Sequence, residues 1–291
     1  MAREARVLRV GIIVSEDPGM HGHIDEARRI DPDVTAAFER ALQAAGRLHD
    51  YTRYVKTLAK NIPKELGRMG VEARVEVLKG LPGMNLASDC SSGRTPSNAE
   101  LKAAFEKMDG KFDFVLGLME EHVHALPYYC HPGTIARVDA HHDSTTVNAA
   151  AMMGITGVDV TSSNYVRCAV KRGITQPSRI RHYGLRHTQE LDGELLGTPH
   201  STQHFENAKF DLLDVDADGL RKAGGNTAFG VGSVLESSVH KAVGRNAPKF
   251  VLAAHFPIEE DASGRMRGFL TALVVKGALS RARKLGFTVK R

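Results

Sequence analysis

The sequence predicts an α/β fold of three layers, with helices covering both faces of a mostly parallel central sheet. Two observations carry that prediction. Short apolar runs of strand length alternate along the chain with longer stretches whose apolar residues recur at helical spacing. No linker, repeat or low-complexity tract interrupts the alternation, so residues 1–291 read as a single domain.

Taken in order, Val7 to Val14 is an apolar run broken by one charge, a buried strand that ends in the polar turn Ser15 to Gly19. Asp33 to Gly46 has helical spacing with Asp33 after Pro32 as its cap, and a second helix covers Tyr51 to Lys60. Val71, Ala73, Val75 and Val77 alternate as a strand requires, and the Gly/Pro/Ser-rich segment Gly80 to Pro96 reads as a long loop. Ser97-Asn98-Ala99-Glu100 is a capping box in front of a helix over Leu101 to Met108, followed by Gly110 and a strand over Phe112 to Leu118. Thr134 to Val138 and Phe210 to Val215 are further strands, with a short helix at Val147 to Met153 between them. A helix over Ser233 to Val243, a strand over Phe250 to Ala254 and a long helix from Arg265 to Leu285 complete the chain. Residues 171–205, polar and irregular, read either as an insertion near a binding face or as an ordinary surface loop.

Composition narrows the function classes. With 42% hydrophobic and 25% charged residues, the chain can bury a large core and is not of disordered composition. Its longest apolar run, Phe269 to Val275 interrupted by Thr271, is far short of the roughly 18 residues a membrane helix needs. Met1 to Leu8 is charged and the apolar stretch after it is only strand length, so no secretory signal is expected. Cys90, Cys130 and Cys168 are odd in number and widely spaced, which argues against a disulfide framework or a thiolate zinc site and points to a reducing cytoplasm. The net charge of +5 is scattered apart from Arg281, Arg283, Lys284, Lys290 and Arg291, which read as a solvated helix face rather than a nucleic-acid patch.

Ligands of open α/β sheets sit beyond the carboxyl ends of the strands, so the residues just past each strand are informative. Phe112 to Leu118 runs into Glu120, Glu121, His122 and His124; Thr134 to Val138 runs into Asp139, His141, His142 and Asp143; Phe210 to Val215 runs into Asp214, Asp216 and Asp218. On extended backbone, alternate residues share a face, which groups Asp139, His141 and Asp143, and likewise Asp214, Asp216 and Asp218. Carboxylates that close need cations, because an unpaired buried ion costs several kcal/mol. Oxygen ligands with imidazole as the remainder favour Mn²⁺. Asp214 to Gly219 also matches the start of a calcium-binding loop, but the twelfth position, where that loop needs Glu, is Gly225.

The order of His122, Asp139-Ala140-His141-His142-Asp143 and Asp216-Ala217-Asp218 resembles the ureohydrolases, the family of arginase and agmatinase. Glu120-Glu121-His122 through Leu126-Pro127-Tyr128, together with Leu213 to Asp218, are similar to a divergent branch that includes arginases acting on peptide-bound arginine. The resemblance covers residues 112 to about 275 and implies a hydrolase with two Mn²⁺ per chain. It implies His122, Asp139, Asp143 and Asp216 at one ion, and His141, Asp139, Asp216 and Asp218 at the other, with Asp139 and Asp216 bridging. A register one step back, with Asp214 and Asp216 as the ligands, stays open. Two ions about 3.5–4 Å apart activate water for attack on a guanidinium carbon, and urea leaves as one product.

The sequence departs from that family in two places. Thr161 to Val166 has no His where a proton shuttle is usual, which leaves His124, His182, His187 and His204 as candidates; Asp216 and His124 are taken as catalytic. The last strand runs into His255-Phe256-Pro257 where the family has a guanidinium-facing Glu, so His255 and Glu259, with Glu260 and Asp261 beside it, are the candidate substrate contacts there. Ser163 and Asn164 are candidates for the substrate's polar end. The function expected is cleavage of a guanidino C–N bond in a small molecule or an arginine-containing peptide, by a cytoplasmic homo-oligomer with no membrane or nucleic-acid partner. Two alternatives remain: an amide hydrolase of the deacetylase type on the same fold, and a non-enzymatic binding protein with structural metals.

Overall fold

Among the described residues eight strands pair into one sheet, and the central ones are buried on both faces, the pattern of a parallel sheet covered on each side. The computed structural model describes residues 6–15, 51–81, 96–119, 122–146, 160, 164–186, 195–221, 233–254, 256 and 264–290. The strands are β1 (Leu8–Ser15), β2 (Ala73–Lys79), β3 (Phe114–Met119), β4 (Ile135–Val138), β5 (Ile180–Tyr183), β6 (Thr198–His200), β7 (Leu212–Asp216) and β8 (Phe250–Ala254). They lie in the order β2-β1-β3-β8-β7-β4-β5-β6, and every neighbouring pair is parallel.

Helices α1 (Tyr51–Arg68), α4 (Glu236–Asn246) and α5 (Arg265–Lys284) pack on one face through residues such as Leu58, Val239 and Leu270. Helix α2 (Asn98–Lys111), the 3₁₀ segment His122–Cys130 and helix α3 (Tyr165–Lys171) cover the other through Phe105, Tyr129 and Val166. The predicted capping box is present: Ser97 Oγ accepts from the Glu100 amide at 3.3 Å, and the Glu100 carboxylate accepts from the Ser97 amide at 2.8 Å. Gly277 lets α5 lie close on β3, since a Cβ there would come within 2.6 Å of the Phe114 ring.

Several sequence expectations are corrected. Helix α1 continues to Arg68 rather than stopping at Lys60, although Pro63 lies inside it. Burial of Ile62 and Leu66, both 0% exposed, outweighs the hydrogen bond that Pro63 cannot donate. Residues 171–205 are not a plain loop or insertion: they supply β5 and the edge strand β6. Polar residues hid these strands, because backbone pairing, to β4 and then to β5, holds them. Helix α3 was not anticipated either. The predicted helices over Asp33 to Gly46 and Val147 to Met153 lie outside the described residues. Among the described residues no helix is long and apolar enough to cross a membrane.

Candidate metal centre

Strands β4 and β7 are neighbours, with Arg137 opposite Asp214 and Val138 opposite Val215, so the residues beyond their carboxyl ends emerge side by side. The expected alternation along extended backbone does not continue there. Strand β4 ends at Val138, and the chain then turns so that Asp139 Oδ1 accepts from the His141 amide at 2.7 Å. Asp216 ends β7 and caps the 3₁₀ turn Ala217–Gly219, its Oδ1 accepting from the Asp218 amide at 2.8 Å. The two turns are stitched together where Asp218 Oδ1 accepts from the Ala140 amide at 3.1 Å. They can approach because residue 219 is Gly: a Cβ there would stand 2.5 Å from the Asp139 nitrogen. Asp143 has φ +47°, a left-handed conformation that Asp tolerates better than most residues.

Together with His122, from the 3₁₀ segment that follows β3, these turns bring three acids and two histidines into two overlapping triads. Ligand atoms of His122, Asp139 and Asp143 lie within 4.8 Å of one another, and so do those of Asp139, His141 and Asp218. His122 Nδ1 stands 3.0 Å from Asp143 Oδ2 and 3.4 Å from Asp139 Oδ2, while its Nε2 faces Asp216 Oδ2 at 3.2 Å. His141 Nδ1 stands 3.0 Å from Asp218 Oδ2 and 3.7 Å from Asp139 Oδ1. His122, Asp139 and Asp216 are buried, whereas the His141 side chain is 48% exposed, so the centre opens to solvent on its His141 side.

Burial, reinforced by Asp143, Asp216 and Asp218 and opposed by Arg137, holds the Asp139 carboxyl well above the ordinary carboxylate range. Burial pushes Asp143 the same way, but Arg137 and the hydrogen bond with His122 outweigh it and hold that carboxyl low. Asp218 is likewise held low, as its bonds with His141 and the Ala140 amide overcome burial. A buried acid destabilised as an anion by three neighbouring acids is what an added cation would relieve.

Sequence reasoning did not single out Arg137, the charged residue in β4. It is 1% exposed, and its guanidinium reaches the acids of the turn that follows the strand. Its Nη2 donates to Asp139 Oδ2 and to Asp143 Oδ2, its Nη1 to the His141 carbonyl, and its Nε to the Tyr165 hydroxyl at 2.8 Å. Asp214 belongs to this inner layer: its Oδ2 accepts from the Tyr129 and Tyr165 hydroxyls, both at 2.9 Å, and lies 4.0 Å from Arg137 Nε. Asp218 rather than Asp214 therefore stands with His141. The signal that could have revealed Arg137 is its spacing, two residues before Asp139 in an otherwise apolar strand.

The donor set suits a divalent ion with a preference for oxygen and imidazole, and Asp139, His141 and Asp218 fit one. At His122, Asp139 and Asp143 the fit is poorer, because Arg137 already takes one oxygen of each acid.

Among the other candidates, His124 is buried in the same 3₁₀ segment as His122. Asn164 is buried at the start of α3, which is tied to the centre by the Val166 amide donating to the Asp143 carbonyl at 3.2 Å. His182 on β5 pairs with Arg137, bonds the Leu196 carbonyl through Nε2 at 3.0 Å, and is pushed down to about 3 by burial and by Arg137. His204 precedes the turn Phe205–Asn207 on the surface. Ser163, His187, His255, Glu259, Glu260 and Asp261 lie outside the described residues, as do Glu120 and Glu121.

Against solved structures, the chain superposes on proclavaminate amidino hydrolase from Streptomyces clavuligerus with a TM-score of 0.55 and 14% identity, covering 96% of this chain and 93% of that one. Agmatine ureohydrolase of Thermoplasma volcanium gives a TM-score of 0.55 at 13% identity, covering 97% and 92%. Arginase from Bacillus subtilis gives 0.53 at 16%, covering 93% and 98%. The chain has the ureohydrolase fold. No protein-family model matches the sequence, and no curated protein matches it either. At such identities the ureohydrolase likeness is one of architecture, and β4 and β7, which carry the acid-rich turns, are central to that architecture.

Proposed function

We propose that the chain is a divalent-metal-dependent hydrolase, with manganese as its ion, that breaks the C–N bond of a guanidino group and releases urea. The observation that carries this reading is the pair of triads sharing Asp139, built from residues just past the carboxyl ends of β3, β4 and β7. It is supported by the fold likeness to proteins named as an amidino hydrolase, a ureohydrolase and an arginase.

Bound metal would supply hydroxide near neutral pH and polarise the carbon under attack. The remaining work falls to side chains of this chain. Asp139, His141 and Asp218 would hold the ion, with Asp216 joined to them where its Oδ1 accepts from the Asp218 amide. His141, half exposed, marks the side on which a substrate arrives. A planar guanidino carbon suits the attack, and the departing amine takes a proton as its bond to that carbon breaks.

The test is urea release by manganese-loaded protein from arginine, agmatine and an arginine-containing peptide. Urea from one of the three, falling about 100-fold or more in Asp139→Asn together with loss of bound metal, is expected. Metal-loaded protein that forms no urea from any guanidino compound overturns the reading, and acetate from an acetylated amine would replace it with amide hydrolysis.

A further inference from the structure

The oxygens that a second ion would need are held by the protein's own cation. Arg137 Nη2 lies on Asp139 Oδ2 and Asp143 Oδ2, the same two atoms that His122 Nδ1 faces at 3.4 and 3.0 Å. An ion held by that triad would bond to those oxygens at about 2 Å, and so would be pressed against a guanidinium using the same lone pairs. Guanidinium does not give up its proton at any pH a protein survives, so it cannot yield by becoming neutral.

Nor is the side chain placed to swing away. Nε donates to the Tyr165 hydroxyl, Nη1 to the His141 carbonyl, and the guanidinium carbon stands 5.5 Å from the centroid of the Tyr165 ring. Tyr165 is itself fixed, since its hydroxyl donates to Asp214, which also accepts from Tyr129. Asp214 therefore acts as the far anchor of a buried chain that ends with the guanidinium against the centre. The other triad is different: Asp218 Oδ1 accepts from the Ala140 amide and its Oδ2 faces His141 Nδ1 at 3.0 Å, while Arg137 meets His141 at its carbonyl.

We infer that the Arg137 guanidinium takes the place of one metal ion, so that the centre binds a single divalent ion at Asp139, His141 and Asp218 and not the two that the sequence suggests. The inference rests on the metal-dependent reading above. It assigns Arg137 as a positioning residue that fixes Asp139 and Asp143 from the sheet side and sets the ion count.

Metal content per chain decides it, measured on manganese-loaded, desalted protein and paired with electron paramagnetic resonance. One Mn²⁺ per wild-type chain, with the spectrum of an isolated ion, is expected. Two per chain with an exchange-coupled spectrum overturns the inference and leaves the hydrolase reading standing; no bound metal overturns both. Arg137→Gln, which removes the charge but keeps a polar side chain, is expected to raise the count twofold, from one ion to two. A folded Arg137→Gln protein that still binds one ion would also overturn the inference, and the wild-type count stands by itself if that variant does not fold.

Discussion

Asp214 shows what a buried acid costs when its partners are removed. Two tyrosine hydroxyls and the neighbouring Arg137 offset its desolvation, all within the sheet's interior. Asp214→Ala takes the carboxylate acceptor from both hydroxyls, while Arg137 keeps Asp139 and Asp143, and is expected to cost about 2–4 kcal/mol in chemical denaturation. Tyr129→Phe removes one bond to the same carboxylate and is expected to cost about 1–2 kcal/mol, with the smaller loss expected because Tyr165 remains. Equal effects from the two variants would show that the carboxylate is not the hub. At this scale the acid-rich turns were legible in the sequence, because Asp139 to Asp143 and Asp214 to Asp218 are clustered in the chain itself. Arg137, Tyr129 and Tyr165 were not, since they meet only when three separate elements fold together.

Helices α1 and α5 meet at Tyr54, whose hydroxyl donates to the Arg267 carbonyl at 3.2 Å and lies 3.1 Å from Thr271 Oγ1. Burial, only partly opposed by Thr271 and Arg267, pushes its phenol up to about 12. The unfolded phenol ionises near its ordinary value of 10, so above that pH the unfolded chain binds fewer protons than the folded one. This contribution to stability is complete below pH 10 and is lost as pH rises toward 12, a decline of about 2 to 3 kcal/mol. Tyr54→Phe should flatten the alkaline limb of a melting-temperature profile while costing stability at pH 7; an unchanged limb would count against it. Element existence was legible wherever local chemistry declares itself, as the capping box at Ser97 and the apolar run Phe250 to Ala254 do. Strands β5 and β6 escaped notice because Ile180-Arg181-His182-Tyr183 and Thr198-Pro199-His200 have no apolar run, and Pro199 is tolerated on an edge strand.

For the whole molecule, the alternation of strands and helices in the sequence foretold three layers and a parallel sheet, but not the strand order. No residue pattern says that β8, the last strand, lies between β3 and β7. That placement divides the sheet into an early block of β2, β1 and β3 and a later block of β7, β4, β5 and β6, joined through Leu116 beside Val251 and Leu213 beside Val251. During synthesis the keystone is therefore made late: both blocks can leave the ribosome before the strand that unites them. Until then β3 and β7 each present a row of unused amide and carbonyl groups to other chains. A nascent chain stopped at residue 248 should pellet with itself or with holdase chaperones, while one extended through α5 should stay in solution. Equal solubility of the two would mean that the halves close without their shared strand.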